Sequence, residues 1–320
     1  MDKIAVLIPC RNEEKTIEKV VKDFRAILTD AVIYVYDNAS SDQTAVLAKE
    51  AGAVVREEYQ VGKGRVVRRM FREVDAECYI MVDGDDTYDA TSAKEMVSFI
   101  LDRHADMVVG DRLSSTYFKE NKRMFHNLGN RLVRRSINTL FQSEIRDVMS
   151  GYRAFSYEFV KTFPVLSGGF EVETEMTIHA LDKSLQVEHV IVGYKDRDVG
   201  SKSKLHTIKD GGRVIAMILQ LYKDYRPLRF FSVIALLLAV LAIAFAIPIV
   251  YEYVQTGLVP RFPTLIVCGF TMIAAIQSFF TGLLLETNVR EQRKRFEMMF
   301  NSASDERQRK KGEETVDGKE

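Results

Sequence analysis

The stretch of the chain richest in reactive groups runs from Tyr79 to Asp89 and reads YIMVDGDDTYD. Its short apolar start predicts a buried strand, which ends at Asp83, Gly84, Asp85 and Asp86. Three carboxylates this close repel one another, and a divalent cation with oxygen ligands would relieve the repulsion. Mg²⁺ or Mn²⁺ bound in this way keeps several waters and holds substrate phosphates. The alternative is an acidic turn that caps a helix near Ser92, for which one carboxylate would suffice.

The composition excludes several other classes of site. Lys plus Arg and Asp plus Glu both number 45, so the net charge does not indicate a nucleic-acid partner. The three cysteines and five histidines are scattered, which argues against a disulfide framework and a zinc site. A short apolar run follows Met1-Asp2-Lys3, too short for the core of a signal peptide. We therefore expect reduced thiols in a domain that faces the cytosol.

Alternating apolar patterns predict an α/β domain in the first two thirds of the chain, with a mostly parallel sheet flanked by helices. Ligands of such sheets bind beyond the carboxyl ends of the strands. Glu13, Asp37 and the Asp83 cluster all follow predicted strands, so we expect them to converge on one edge. The predicted strands are 3–8, 31–35, 54–55, 79–82 and 106–109, and the predicted helices between the first three are 16–28 and 43–51.

A glycine-rich turn, Gly62-Lys63-Gly64-Arg65, opens the next predicted helix. Glycines allow the backbone to approach a ligand closely, and a helix N-terminus favours phosphate. The pattern is neither a Walker nor a dinucleotide fingerprint. A plain glycine turn is the alternative, and the nearby carboxylates favour the phosphate site.

Two sets of motifs carry a family resemblance that covers roughly residues 3–205. The first set resembles the GT-A glycosyltransferases of family 2. The second set is similar to the polyprenyl-phosphate glycosyltransferases, the group of dolichyl-phosphate mannose and glucose synthases and their bacterial undecaprenyl-phosphate relatives. The first set is Ile8-Pro9-x-x-Asn12-Glu13, Asp37-Asn38-x-Ser40-x-Asp42-x-Thr44, Gly62-Lys63-Gly64 and Asp83-Gly84-Asp85. The second is Asp147-x-x-Ser150-Gly151-Tyr152-Arg153-Ala154-Phe155, Gly169-Phe170-Glu171-x-Glu173 and Arg197-x-x-Gly200-Ser201-x-Ser203-Lys204-Leu205.

The resemblance implies a GT-A fold and a binding site for a nucleotide sugar. Asp83 and Asp85 would hold Mg²⁺ or Mn²⁺, with Asp85 bridging the metal to the diphosphate. Thr87 stands where the mannose synthases often have Gln or His, which favours UDP-N-acetylglucosamine or UDP-glucose over GDP-mannose. The residues expected to bind the nucleotide sugar are Pro9, Asn12, Glu13, Asp37, Lys63 and Asp83.

The acceptor implied by the resemblance is a polyprenyl phosphate, with undecaprenyl phosphate as the bacterial form. A phosphate monoester is already anionic near neutral pH, so it needs cationic positioning more than a strong base. We expect Asp85, Asp147 and Arg197 to be catalytic, although Asp147 could instead form a buried ion pair with Arg153. Direct displacement would invert the anomeric centre. The residues expected to bind the acceptor phosphate are Arg112, Arg131, Arg197, Ser201 and Lys204.

The last third of the chain has a different composition. We expect a catalytic domain over 1–205, an amphipathic interface region over 206–229, a two-helix transmembrane hairpin over 230–285, and a basic then disordered tail over 286–320. The two uncharged runs are 230–250 and 262–285, joined by a short link that carries Arg261. Basic residues flank the outer ends of the hairpin, which predicts a multi-pass protein of the cytoplasmic membrane with its catalytic domain and tail in the cytosol.

The sequence therefore favours a membrane-bound inverting glycosyltransferase that makes a lipid-phosphate sugar, a donor for glycan modification in the cell envelope. We expect a nucleotide sugar, a polyprenyl phosphate and the bilayer as partners, no nucleic acid, a homo-oligomer, and a small membrane subunit as a further partner. The alternatives are a GDP-mannose-dependent mannosyltransferase, a nucleotidyl or sugar-phosphate transferase, and a non-catalytic scaffold with a transferase-like domain.

Overall fold

The computed structural model describes residues 1–114, 124–169, 171–195 and 218–317, with side chains for all of these except 124–131 and 314–317. Seven strands lie in these ranges: β1 (Asp2–Cys10), β2 (Ala31–Asp37), β3 (Val54–Glu57), β4 (Ala76–Met81), β5 (Met107–Asp111), β6 (Arg153–Ser156) and β7 (Val187–Ile191). The α-helices are α1 (Ile17–Ile27), α2 (Thr44–Glu50), α3 (Lys63–Glu73), α4 (Ala93–Leu101), α5 (Met124–Phe141), α6 (Tyr157–Thr162), α7 (Val172–Asp182), α8 (Pro227–Thr256) and α9 (Phe262–Asp317).

The strands form one sheet in the order β3-β2-β1-β4-β6-β5-β7. The pairs β1–β2, β1–β4, β2–β3 and β5–β7 are parallel, and β6 runs antiparallel to both β4 and β5. This mixed α/β sheet confirms the predicted fold class.

The reversed strand β6 matters for the site. Its first residue, Arg153, pairs with Met81 at the end of β4 and with Val109 near the end of β5. Because β6 runs the other way, the residues that precede it lie at the edge where β4 and β5 finish. The segment from Asp147 to Tyr152 therefore reaches the same edge as the acidic stretch after β4.

Apolar side chains from the helices cover both faces of the sheet. On α1, Ile17, Val20, Val21 and Phe24 recur at helical spacing and are buried in one core cluster. On α3, Val66, Val67, Met70 and Phe71 do the same in the cluster on the opposite face. Both faces of β1 and β4 are covered in this way, which explains their nearly continuous burial.

Two helices near the C-terminus are long and apolar enough to cross a membrane. Helix α8 has 30 residues and ends at Gly257, whose φ of 69° is the left-handed conformation that favours glycine. Large apolar side chains on both helices are exposed in the protein alone, among them Leu237 at 65% and Phe270 at 68%. The expected spans 230–250 and 262–285 lie within α8 and α9. Of the expected amphipathic region, residues 206–217 lie outside the described residues, and 218–225 are helical.

The structure differs from the expectation that the tail over 286–320 ends in a disordered segment. Helix α9 continues to Asp317, and residues 296–320 belong to the same compact unit as residues 1–205, whereas 206–295 form the second unit. The polar composition of this segment is typical of disorder, but its charges have distant partners. Arg307 pairs with Glu158 at 3.0 Å, and Lys310 pairs with Asp75 at 2.8 Å.

Candidate active site

The loops after β1 and β2 are joined to each other at the sheet edge. Cys10 and Asp37 are partners in the β1–β2 register, which brings the two strand ends side by side. Asn12 accepts a hydrogen bond from the Ser41 backbone N–H at 2.8 Å, and its own N–H donates to Ser40 Oγ at 2.9 Å. The N–H of Glu13 donates to Thr44 Oγ1 at 2.9 Å. The paired loops thus hold Asn12 and Glu13 next to Asp37, as the sequence predicts.

Asp37 carries an unusual carboxylate at this edge. The residue is only 5% exposed, and its Oδ2 accepts the Ser40 N–H at 3.0 Å. Its Oδ1 is buried and has no hydrogen-bond donor among the described residues. A buried oxygen without a donor is costly, so a ligand that supplies an N–H or O–H would be favoured here. The base or ribose of a nucleoside offers such donors.

Pro9 lies inside strand β1 rather than in the loop. It is buried and pairs in register with Tyr36 of β2. Its contribution to the site is the placement of the strand end that leads into Asn12.

The glycine turn before α3 fits closely against another part of the chain. Gly62 has a φ of 142°, and its N–H donates to Asn38 Oδ1 at 2.7 Å. A Cβ on Gly62 would collide with the Gly168 carbonyl oxygen, and one on Gly64 would collide with that of Ser167. The glycines are therefore required for packing. Their position also places Lys63 at the first turn of α3, pointing towards the end of β4.

Lys63 is held between two carboxylates. Its Nζ lies 2.5 Å from Asp83 Oδ1 and 2.5 Å from Glu173 Oε1. Burial alone would lower the pKa of Lys63, but the charges of Asp83 and Glu173 raise it above its ordinary value. Lys63 is therefore a buried, permanently charged ammonium group beside the acidic stretch.

The backbone that precedes β6 lies in close contact with Asp83. A Cβ on Gly151 would collide with Asp83 Oδ2 and would stand 3.2 Å from Lys63 Nζ. The Gly151 N–H donates to the Tyr88 hydroxyl at 3.1 Å, which fixes that backbone in place. Because β6 runs antiparallel to β4, the segment around Gly151 lies beside Asp83.

The other two aspartates of the acidic stretch point to different partners. Asp85 Oδ1 accepts both the Thr87 N–H at 3.2 Å and the Thr87 hydroxyl at 2.6 Å. Asp86 has a φ of 56° and pairs with Lys19 at 2.5 Å. Asp85 is thus held by Thr87 of its own loop, whereas Asp86 is bound to α1.

The carboxylates of Asp83 and Asp85 are oxygen ligands of the kind that a divalent cation binds. Within the described part of the chain, no three His, Cys, Asp or Glu side chains gather into a site built from protein ligands alone. Mg²⁺ and Mn²⁺ in nucleotide sites use one or two carboxylates and take their other ligands from water and phosphate oxygens. Asp83 and Asp85, with Lys63 beside them, fit an open site of this second kind.

A second charged pair joins the residue after β5 to the segment that precedes β6. Arg112 Nε donates to Asp147 Oδ2 at 2.9 Å, and its Nη2 donates to the Met149 carbonyl at 3.3 Å. The Arg112 guanidinium also lies 5.7 Å from the centre of the Tyr194 ring. Asp147 is 1% exposed, so it fixes the guanidinium from the protein side.

Arg153 has other partners, so the alternative ion pair between Asp147 and Arg153 is not formed, and the catalytic role of Asp147 stays a prediction. Its guanidinium is fully buried and donates to the carbonyl oxygens of Ser150 and Val148 and to the Thr177 hydroxyl. Burial lowers the pKa of Arg153 to about 10. Asp147 forms its ion pair with Arg112, and Arg153 organises the backbone that leads to Gly151.

Several predicted site residues cannot be placed. Arg131 lies on α5 among the residues whose side chains are not described, and Arg197, Ser201 and Lys204 lie outside the described residues. Conversely, sequence analysis did not single out Glu173 or Tyr88 as site residues. The glutamate belongs to a motif used only for the family resemblance, and nothing in its spacing distinguishes it from Glu171 and Glu175.

Comparisons with known proteins agree on one family. Residues 5–163 match the model described as glycosyl transferase family 2. The chain is 32% identical over 254 residues to glycosyltransferase AglJ of Haloferax volcanii, which covers 79% of this chain and 83% of that protein. It is 25% identical over 225 residues to a dolichyl-phosphate hexose transferase of the same organism, which covers 70% and 96% of the two chains.

A solved structure shows the same fold. Glucosyl-3-phosphoglycerate synthase from Mycobacterium tuberculosis, in complex with Mn²⁺, UDP and phosphoglyceric acid, superposes with a TM-score of 0.53. The match covers 69% of this chain and 78% of that one at 20% identity. The likeness identifies the α/β domain as GT-A.

Proposed function

The chain belongs to glycosyl transferase family 2, and from that premise we propose that it moves a hexose from a nucleotide sugar to a polyprenyl phosphate. Its assignment as a hexosyltransferase rests on the family. The choice of donor and acceptor is our proposal. We favour UDP-N-acetylglucosamine or UDP-glucose as the donor and undecaprenyl phosphate as the bacterial acceptor.

One observation favours a nucleotide sugar as the sugar donor. Three loops bring Asp37, Lys63 and Asp83 to a single sheet edge, with a buried acceptor oxygen on Asp37 and a buried ammonium group on Lys63. The carboxylate suits the N–H and O–H groups of a nucleoside, and the ammonium group suits a diphosphate. A nucleoside diphosphate is the ligand that presents both kinds of group at neighbouring positions.

A divalent cation fits the same edge. Held by Asp83 and Asp85, Mg²⁺ or Mn²⁺ would offset the charge of the diphosphate as the bond to the sugar breaks. The fold neighbour from Mycobacterium tuberculosis holds Mn²⁺ together with UDP, which supports this part of the proposal.

The acceptor part rests on charge and on the apolar helices. Asp147 and the Met149 carbonyl fix Arg112 at the end of β5, and a fixed guanidinium suits the oxygens of a phosphate. We propose that Arg131, Arg197, Ser201 and Lys204 complete this phosphate site. The likeness to a dolichyl-phosphate hexose transferase and the two apolar helices both favour a lipid carrier of that phosphate.

The proposed reaction is a single displacement. An acceptor phosphate oxygen forms a bond to the anomeric carbon while the bond from that carbon to the diphosphate oxygen breaks. Because the acceptor is already an anion, the protein need not remove a proton from it. What the chain supplies is placement of the two phosphates, and an attack opposite the leaving group inverts the anomeric centre.

The apolar helices give the reaction its proposed location. We propose that α8 and α9 cross the cytoplasmic membrane and that the catalytic domain lies on the cytosolic side, where nucleotide sugars are made. The single arginine of the link between them, Arg261, against the basic residues that follow Leu285, supports this orientation.

A transfer assay tests the proposal directly. Full-length protein in detergent is incubated with undecaprenyl phosphate, Mn²⁺ and, in turn, labelled UDP-N-acetylglucosamine, UDP-glucose, UDP-galactose or GDP-mannose. We expect label to enter the organic phase with one UDP-sugar. Asp85→Ala should lower the rate about 100-fold or more, because electrostatic support of the leaving group is lost.

The matched control is Asp86→Asn, in the same loop. Its side chain is bound to Lys19 on α1, so the variant should transfer sugar at nearly the wild-type rate. Transfer from GDP-mannose alone would overturn the choice of donor. Binding of a nucleotide without transfer from any donor would favour a scaffold with a transferase-like domain.

A further inference from the structure

The first turn of α7 contributes a carboxylate to the edge of the sheet. Glu173 is 4% exposed, and its Oε1 lies 2.5 Å from Lys63 Nζ. On its other side, Lys63 meets Asp83 Oδ1 at the same distance. One ammonium group is thus shared by two carboxylates that come from different parts of the chain.

The second oxygen of Glu173 is as unusual as that of Asp37. Its Oε2 is buried and has no hydrogen-bond donor among the described residues. The nearby Arg153 guanidinium donates instead to Ser150, Val148 and Thr177. A buried carboxylate with only one paired oxygen is costly to retain. Its charge is therefore better explained by a task at the site than by stability alone.

Glu175, on the same helix, has a structural role that differs from the position of Glu173. Glu175 accepts hydrogen bonds from the backbone N–H groups of Leu166 and Ser167, each at 3.0 Å. This contact ties down the segment that packs on Gly62 and Gly64. Because Glu175 already secures the segment, Glu173 is not needed for it.

We propose that Glu173 is a positioning residue that keeps Lys63 from neutralising Asp83. The inference rests on the proposed function, in which Asp83 helps to hold a divalent cation. With Glu173 present, the ammonium group has a second buried partner and can stay with it when Asp83 turns to a cation. Without that partner, Lys63 would pair with Asp83 alone, and a cation would have to displace the ammonium group.

Glu173→Gln is the test variant, since it removes the charge and nearly preserves the shape. Mn²⁺ binding to full-length protein in detergent is measured by the electron paramagnetic resonance signal of free Mn²⁺, with and without UDP. We expect the dissociation constant of Mn²⁺ to rise at least about fivefold, as for neighbouring charged groups that couple. Wild-type affinity should persist in Glu175→Gln, the matched control on the same helix.

Thermal unfolding of the same samples separates positioning from a merely structural role. A structural role predicts a lower unfolding midpoint for Glu173→Gln with unchanged Mn²⁺ affinity, and that result would overturn the inference. Equal loss of affinity in the two variants, or no Mn²⁺ binding to the wild type at millimolar concentration, would overturn it as well. Sugar transfer is assayed separately, so normal Mn²⁺ behaviour without transfer would count against the proposed function and not against Glu173.

Discussion

At the sheet edge, some of the site residues could be predicted from the sequence and others could not. Asp37 and Asp83 could be assigned to the site because polar residues directly after predicted strands meet at one edge. Glu173 could not, because Glu171, Glu173 and Glu175 alternate along one stretch and look alike in the sequence. Only the fold separates them: Glu171 is exposed, Glu173 contacts Lys63, and Glu175 holds Ser167.

A buried histidine on α7 predicts that the stability of the protein depends on pH. His179 packs edge-on against Phe163 and Phe296, and burial lowers its pKa from 6.5 to about 4. Between these two pH values the unfolded chain binds a proton that the folded chain does not. The free energy of unfolding should therefore fall on acidification, by up to about 1.4 kcal/mol per pH unit.

The measurement is the unfolding midpoint in urea at pH 4.5 to 7.5, followed by the tyrosine signal in near-UV circular dichroism, because the chain has no tryptophan. His179→Leu should be less sensitive to pH than the wild type in this window. The exposed His104 provides the comparison, since His104→Asn should keep the wild-type slope. Parallel curves for wild type and His179→Leu would contradict the prediction.

Among the elements, the C-terminal part of α9 departs most from the sequence expectation. Composition predicts disorder for a run rich in Lys, Arg and Glu. The deciding contacts are with residues far away along the chain, such as Glu158 and Asp75, and no local pattern reveals them. By contrast, β1 to β5 and the two apolar helices have local periodicity or length that predicts them, whereas β6 and β7 are not among the predicted strands.

The ion pair between Arg307 and Glu158 tests whether this segment stabilises the catalytic unit. Arg307 Nη1 donates to both carboxylate oxygens, at 3.0 and 3.1 Å. Arg307→Ala leaves the buried Glu158 carboxylate without this partner, so we expect a loss of about 2 kcal/mol in the free energy of unfolding. Urea titration followed by near-UV circular dichroism measures it.

Arg309, on the same helix, is the natural control. Its side chain is 72% exposed and its partner is the equally exposed Glu313. Arg309→Ala should change the free energy of unfolding by no more than about 0.5 kcal/mol. If the two variants were equally stable, the ion pair between Arg307 and Glu158 would contribute nothing to the stability of the catalytic unit.

For the whole molecule, the apolar helices predict a defined membrane topology. Leu258 lies in the link between α8 and α9 and is 69% exposed, whereas Tyr59 is a 75% exposed residue of the catalytic domain. We expect Leu258→Cys to react with a membrane-impermeant maleimide in intact cells. Tyr59→Cys should react only after the cells are broken.

The three native cysteines are buried, so the background should be low. Labelling of both positions from the outside, or of neither, would rule out a hairpin that places the catalytic domain in the cytosol.

Residues 1–205 and 296–320 form one compact unit although they are far apart in the chain, and this affects when the unit can fold during synthesis. The ribosome completes every strand of the sheet well before it makes Ala303 and Arg307, which are buried against or paired with that domain. Both apolar helices emerge in between. At about 5–20 residues per second, the nascent domain waits several seconds for its last piece. During that interval the surface that α9 later covers is exposed, so the catalytic unit is complete only after the apolar segments have left the ribosome.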